Sequence, residues 1–283
     1  MSKNFYNRIA SNYDTDWSGI YRDTRTISIN QIVEHYNGRS VGCALDLAVG
    51  TGNSFYDLSQ WMHIRHRTGI DISYEMLKQA KNKIGGSIEL VCEDARNIQS
   101  HIPDNSQDLV LCHYLFSYLD IHEILNLAFR LLKPGGVLSV VTTTKKNFLE
   151  LSTGRFRRTG RLFRVARHLS QVETPKNHCD CMKILVEHKF DILNHYRFDN
   201  RLDFKSFEDV TAWSIDSGWA AQYFDSGFKV KALLGKFIFA SAAILMHPLY
   251  PISAHSDISI VLVRKPFKEI QSMYEGNVVV SLI

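Results

Sequence analysis

Three aspartates frame the chemistry open to this chain. Asp46, Asp71 and Asp94 each stand at the end of a short apolar run, in "CALD", "GID" and "VCED", and Gly50 and Gly52 follow the first of them. Glycine has no Cβ, so a loop built from it lets a ligand or another chain element come close to the backbone. A carboxylate ending the second run can accept hydrogen bonds from both hydroxyls of a ribose. One ending the third can accept from the exocyclic amine of adenine. A phosphate-binding loop is excluded, because no Gly-Lys-Ser/Thr follows. A dinucleotide fingerprint fits badly, since the sixth position counted from Gly50 is Phe55. Taken alone, the glycine pair fits a packing loop equally well.

Carboxylates at three such ends converge only if the runs are parallel neighbours. The surrounding pattern supplies this. Strand "CALDLAV" precedes the glycine loop and a helix over about 53–62. "HRTGIDIS" precedes a helix over about 74–83, and "SIELVCEDA" precedes a polar stretch with Pro103. "DLVLCHYLF" precedes a helix over about 121–132, and "KPGG" turns the chain into "VLSVVTTT". Strands alternating with helices of this size predict right-handed βαβ units and an α/β fold with a doubly wound, mostly parallel sheet. Ahead of it, residues 24–37 read as an amphipathic helix stopped at Asn37-Gly38. Downstream, "CDCMKILVEHKFDILNHYRFD" reads as a helix and a strand, and "DISIVLVRK" completes the sheet.

Length and composition agree. The 283 residues bury a full core, and the hydrophobic and charged shares, 45% and 22%, are those of a soluble globular protein. Five cysteines and no signal-peptide pattern read as reduced thiols in a cytoplasmic protein. The apolar stretch 237–246 is too short to span a bilayer and reads as a buried helix. Net charge is +4, yet the segment 145–170 carries +7 through eight Lys/Arg against Glu150, so the remainder is acidic. "HCDC" at 178–181 has no second pair at zinc spacing, and no metal site is expected.

The ordered set of Asp46-x-Ala48-x-Gly50-x-Gly52, Asp71, Asp94 and "LLKPGG" at 131–136 resembles the class I S-adenosylmethionine-dependent methyltransferases, with Ala48 where the family's motif has its first glycine. "FYNRIASNYD" near the N-terminus is similar to the segment preceding the core in small-molecule members, such as the ubiquinone/menaquinone and biotin-pathway methyltransferases. The resemblance implies a seven-stranded Rossmann-like sheet with helical cap and lid elements, and S-adenosyl-L-methionine as cofactor. It divides a single domain over 1–265 into a helical cap (1–40), a cofactor-binding core (41–145), a basic insertion (146–176) and an aromatic lid (200–250), followed by a tail (266–283). The implied cofactor contacts are Asp46, Ala48, Gly50, Gly52, Asn53, Asp71, Ile72, Met76, Asp94, Ala95, His113 and Tyr13, with Tyr13 packing over the methionyl end.

Methyl transfer from a sulfonium is an in-line displacement, favoured by alignment and a dry pocket. A general base is needed only when the acceptor must lose a proton. "CHYLFSYLD" follows the fourth strand, where the family lines its transfer site, and His113 is the base candidate by type and position. Tyr13 and Tyr118 join it at the transfer centre. Strand alternation places Tyr114 on the opposite face from His113 unless the strand has already ended. Acceptor contacts are expected from Tyr6, Tyr114 and His178, from the lid aromatics Trp213, Trp219 and Tyr223, and from Arg157 and Arg161 of the basic run. The expected function is methyl transfer to a small-molecule or carrier-protein-bound biosynthetic intermediate, with no nucleic-acid partner and no membrane span. A cyclisation or rearrangement on the same fold, or a non-catalytic cofactor-binding regulator, are the other readings.

Overall fold

A computed structural model of the chain describes residues 3–16, 18–86, 88–152, 173–218 and 250–267. Helices α1 (Lys3–Ile9) and α2 (Ile20–Tyr36) precede an alternation of β1 (Val41–Asp46), α3 (Asn53–Ser59), β2 (Ile64–Asp71), α4 (Tyr74–Ile84) and β3 (Ile88–Cys92). Then come β4 (Gln107–His113), α5 (Ile121–Leu131), β5 (Leu132–Thr143), α6 (His178–Glu187), β6 (Asp191–Phe204), α7 (Phe207–Asp216) and β7 (Ile252–Arg264). The seven strands lie in the order β3-β2-β1-β4-β5-β7-β6. β1, β2, β3, β4 and β5 pair in parallel, and β7 runs antiparallel to both β5 and β6.

The strand sequences dictate this arrangement. Leu109, Val110 and Leu111 of β4 are all fully buried, as a parallel strand covered by helices on both faces requires. α5 buries Ile121, Ile124, Leu125, Ala128 and Leu131 along one stripe, and the Asp120 carboxylate accepts from the Glu123 N–H to start the helix. At α3 the buried pair Phe55 and Leu58 pins the helix to the sheet, which fixes the loop entering it. Each such side chain contributes roughly 1.5–3 kcal/mol through burial.

Two features bear on the cleft. Strand order reverses between β1 and β4, so a crevice opens beyond their carboxyl ends. At the other edge, β6 and β7 pair from Asp191 opposite Arg264 to Phe204 opposite Ile252. Residues 200–204, expected within a lid, are therefore sheet. The polar stretch after β3 forms a short 3-10 turn over Ala95–Ser100, and a second spans Leu115–Ser117 after β4. Among the described residues no helix is long and apolar enough to cross a membrane.

Candidate active site

The crevice holds two lobes that share Tyr13, Ala48, Gly50, His113 and Tyr114. The narrower, about 120 Å³, is lined by Tyr6, Leu47, Asp71, Ile72, Met76, Glu93, Asp94, Ala95, Leu115, Tyr118 and Leu119. The wider, about 260 Å³, is lined by Asp14, Thr15, Asp16, Tyr21, Arg22, Arg25, Val49, Thr51, Asn53, Ser54 and Val141. The β1–α3 loop runs between them.

Gly50 adopts φ +52, and a Cβ built on it would meet nothing nearer than the Ala48 carbonyl oxygen at 4.0 Å. The backbone there faces open space. Its N–H donates to the Asp71 carboxylate at 3.0 Å, and the Ser73 N–H donates to the other oxygen at 2.8 Å. Gly52 does different work. At φ +84 its missing Cβ would lie 3.1 Å from the Ala80 Cα and 2.6 Å from the Ile84 Cδ1. It is glycine so that α3 can start against α4, and it lines neither lobe.

Asp46 is buried beneath the loop, where its carboxylate accepts from the Ala48 N–H at 3.0 Å; it supports the cleft rather than lining it. Burial, opposed by that bond and aided by the nearby Asp71 charge, pushes its pKa up to about 7. Burial likewise raises Asp71 to about 6, although two backbone N–H groups hold the charged form. Asp94 differs again. Arg96 grips both of its oxygens, from Nε at 2.9 Å and from the outer nitrogen at 2.7 Å, and this guanidinium holds the carboxyl below its ordinary value. Asp94 lines the narrow lobe but is not a free acceptor, since any adenine amine would share it with Arg96.

His113 ends β4, and Tyr114 follows at φ +60. The strand has therefore stopped, and both neighbours enter the cleft despite the alternation rule. The His113 ring lies between hydroxyls, with Nδ1 3.3 Å from Ser54 Oγ and Nε2 3.0 Å from Ser139 Oγ. Burial, with the Arg25 charge nearby, pushes its pKa down to about 3. A neutral imidazole with both nitrogens engaged is a poor proton acceptor, so the geometry speaks against His113 as the general base.

Five tyrosines roof the cleft. The Tyr6 hydroxyl donates to that of Tyr118 at 2.6 Å, which donates to the Gly218 carbonyl. Tyr13 stacks on Tyr21 at 6.0 Å, and Tyr21 meets Tyr114 edge-on at 4.8 Å. Burial raises all five phenols, so none ionises near neutral pH. Asp14, beside Tyr13, accepts from Thr51 Oγ1 at 2.7 Å, Asn53 Nδ2 at 2.8 Å and Lys83 Nζ at 2.5 Å. This clasp holds the N-terminal segment over the loop. Burial opposes its charge, but those donors outweigh burial and lower the pKa.

Other expected contacts lie elsewhere. Trp213 is buried on α7, 4.7 Å from the Phe148 ring and 5.8 Å from Phe204, and packs the core instead of facing an acceptor. His178 is buried between Ser259 (3.1 Å) and His195 (3.2 Å), holding α6 to β6 and β7. Neither lines a lobe. Arg157, Arg161, Trp219, Tyr223 and the stretch 237–246 fall outside the described residues. The residues missed from sequence are Asp14, Tyr21, Arg22, Arg25, Ser54 and Leu115. Tyr21, Arg22 and Arg25 share one helical face, a spacing visible in the sequence but without an apolar pattern to mark it.

Residues 44–136 match a family model described as a methyltransferase domain. Over these residues the chain is similar to a methyltransferase domain. The resemblance drawn from the motifs agrees with that match, and a structural neighbour, the N-methyltransferase NodS of Bradyrhizobium japonicum (14% identity, TM-score 0.50, over 93% of this chain and 99% of that one), is a complex with S-adenosyl-l-homocysteine. Among curated relatives, the chain is 26% identical over 157 residues to a malonyl-[acyl-carrier protein] O-methyltransferase of Marinomonas, covering 53% of this chain and 54% of that protein. It is 34% identical over 87 residues to a demethylmenaquinone methyltransferase of Listeria welshimeri, covering 29% and 36%. The alignments thus span about half of the first relative and about a third of the second. A Bacillus halodurans crystal structure, described as that of a candidate methyltransferase, has the same fold. It has a TM-score of 0.56 at 18% identity, over 84% of this chain and 98% of that one.

The residues of the narrow lobe fit an adenosyl sulfonium. Asp71 offers a carboxylate at the β2 end, Ile72, Met76, Leu115 and Leu119 give the narrow lobe apolar walls, and the Gly50 backbone is open where the lobes join. Asp46 and Asp71 are two buried acids at one place, which a cationic ligand would compensate.

Proposed function

We propose that this methyltransferase domain moves a methyl group from S-adenosyl-L-methionine to a small-molecule or carrier-bound acceptor. The observation that carries the reading is the continuity of the two lobes through Ala48, Gly50, His113 and Tyr114: a narrow compartment of adenosyl character opens directly onto a wider one. When bound, the cofactor supplies an electrophilic methyl on sulfur. The chain's own groups then bind, orient and exclude water. Asp71 receives the sugar hydroxyls, and the loop backbone at 48–50 supports the chain leading to the sulfur. Tyr13, held down by the Asp14 clasp, keeps water from the junction of the lobes.

Among the described residues, no phenol or imidazole of the cleft is tuned to remove a proton near neutral pH. The described groups serve alignment and desolvation, which suits an acceptor atom that is nucleophilic as it arrives. The two curated relatives act, by their names, on a carrier-bound acid and on a menaquinone precursor, and both acceptor types suit the wider lobe. The test is binding followed by transfer. Calorimetry should show S-adenosylhomocysteine binding, and methyl-labelled cofactor should pass label to an acceptor from a panel of acids and quinols. Absence of heat with either the cofactor or its thioether product would refute the reading.

A further inference from the structure

β6 ends the strand order, and among the described residues no strand pairs with its outer edge. It spans 14 residues, and most of its side chains are exposed. β5 stops at Thr143, opposite Ile258, so residues 199–204 and their β7 partners 252–257 run past it as a ribbon two strands wide. Backbone alternation decides what this ribbon leaves over. The Asn200 N–H donates to Ser256 Oγ at 3.2 Å, and that hydroxyl donates back to the Asn200 carbonyl at 3.1 Å, so Asn200 turns its backbone toward β7. Its neighbours on either side turn away. Arg197, Asp199, Arg201 and Asp203 thus present N–H and C=O groups at the outer edge, and their exposed side chains alternate in sign along it.

We propose that this edge pairs with the same edge of a second copy of the chain, antiparallel about a two-fold axis at Asn200. Such a pairing sets each residue opposite one of the same parity, because outward-pointing groups on one strand must meet outward-pointing groups on the other. The axis therefore falls on a residue, and charge selects which. Centred on Asn200, Arg197 faces Asp203 and Asp199 faces Arg201, so every charged pair is opposite in sign. On the other face Tyr196 flanks Phe204 and Phe198 flanks Leu202. The alternatives are worse. Centred on Asp199, Arg197 would face Arg201; centred on Arg201, Asp199 would face Asp203. A centre at Phe198 sets Arg201 against His195 and leaves Asp203 opposite Leu193, and one at Leu202 overlaps only residues 200–204. Within one chain the same charges pair along the strand, Arg197 with Asp199 at 3.3 Å and Arg201 with Asp203 at 2.9 Å. The two-fold reverses their order, so each charge gains a second neighbour of opposite sign. Charges on an edge discourage pairing with arbitrary strands; in this order they leave it complementary to itself.

The experiment reverses one charge at a time in the full chain. Sedimentation equilibrium should show the wild type as a dimer at about 100 μM. Asp199→Arg and Arg201→Asp each set like charges opposite one another, and each should weaken association by at least about tenfold. An equimolar mixture of the two variants should regain the wild-type affinity, because in the mixed dimer the reversed charges face each other and the native ones do likewise. Far-UV circular dichroism of each variant should match the wild type. Should a reversal prevent folding, Asp199→Asn and Arg201→Gln remove the attraction instead and should each weaken association by about threefold. A wild-type chain that stays monomeric at that concentration overturns the inference. So does a dimer that both reversals leave intact, which would place the interface on another surface, and so does a mixture no more associated than its components.

Discussion

Asp46 and Asp71 end adjacent strands with their carboxyls inside the protein, raised to about 7 and about 6. Unfolded, both titrate near 4. A raised folded pKa means the native state holds its proton longer, so these groups favour folding at low pH and lose that contribution as pH rises through about 6 to 7. The cofactor-free chain should therefore show a fall in Tm between pH 5 and 7.5 that is shallower in Asp46→Asn. An identical slope in the variant would place the titration elsewhere. Ligand binding has the opposite sign, because sugar hydroxyls donate to the ionised Asp71. Affinity for S-adenosylhomocysteine should drop as pH falls below about 6, with proton release seen as buffer-dependent heat, and Asp71→Ala should weaken binding at every pH by about tenfold or more. At His113 the neutral ring bridges α3 to β5 through Ser54 and the fully buried Ser139. His113→Ala should cost about 2–3 kcal/mol of stability in urea unfolding while leaving the shape of the pH–rate profile unchanged. A limb of that profile disappearing with the ring would restore the base assignment. Residue types were legible in the sequence, but their partners were not. Nothing around Asp94 marked Arg96 as its bidentate partner in place of a ligand, and nothing in "VGTGNS" distinguished the open Gly50 from the packed Gly52.

At the scale of elements, the sheet was readable because parallel buried strands are continuous apolar runs, and all seven expected strands are present in their places along the chain. Three strands are longer than expected: β5 starts at Leu132, β7 starts at Ile252, and β6 continues to Phe204. The exposed face of β6 carries Asn, Asp and Arg residues that look like loop until β7 is known to pair with all of it. Tyr114 illustrates the limit of periodicity, since where β4 ends decides whether one or two neighbours reach the cleft. Trp213 illustrates another. An aromatic on a helix before the last strand reads as a lid, yet α7 has its own partners in Phe148 and Phe204 and starts with a capping box formed by Ser206 and Asp209. Ser206→Ala should cost about 1 kcal/mol in thermal or urea unfolding with no change in cofactor affinity. A change in affinity would return this helix to the site. The Asp14 clasp makes an element-level claim of its own, joining the N-terminal segment to the starts and ends of α3 and α4. Both partners are partly exposed, so the ion pair is worth no more than about 1 kcal/mol. Lys83→Met should speed S-adenosylhomocysteine release by up to about fivefold in stopped flow, an effect that weakens in high salt for the wild type and vanishes in the variant.

For the whole molecule, the cleft belongs to no single element. Its walls come from α1, the Tyr13–Thr15 turn, α2, the β1–α3 loop, the ends of β2, β4 and β5, and the turns after β3 and β4. A ligand seated there contacts the N-terminal segment and the sheet at once, so binding should tie the stability of the first 36 residues to that of the core. Mass action sets the size: a ligand at 100 times its Kd stabilises the native state by about 2.7 kcal/mol, which for a chain of this size is a Tm rise of about 5–10 °C. S-adenosylhomocysteine should produce a shift of that order in the wild type. It should also slow amide exchange in α2 and in the β1–α3 loop together, because Tyr13, Tyr21 and Gly50 face the same space. Asp71→Ala should lose most of the shift at the same ligand concentration. Ser206→Ala should lower Tm with and without ligand by equal amounts, since its helix touches neither lobe. If the ligand instead protected the sheet while leaving exchange in α2 unchanged, the N-terminal segment would not be part of the bound state, and the shared cleft from which the acceptor site was argued would have to be given up.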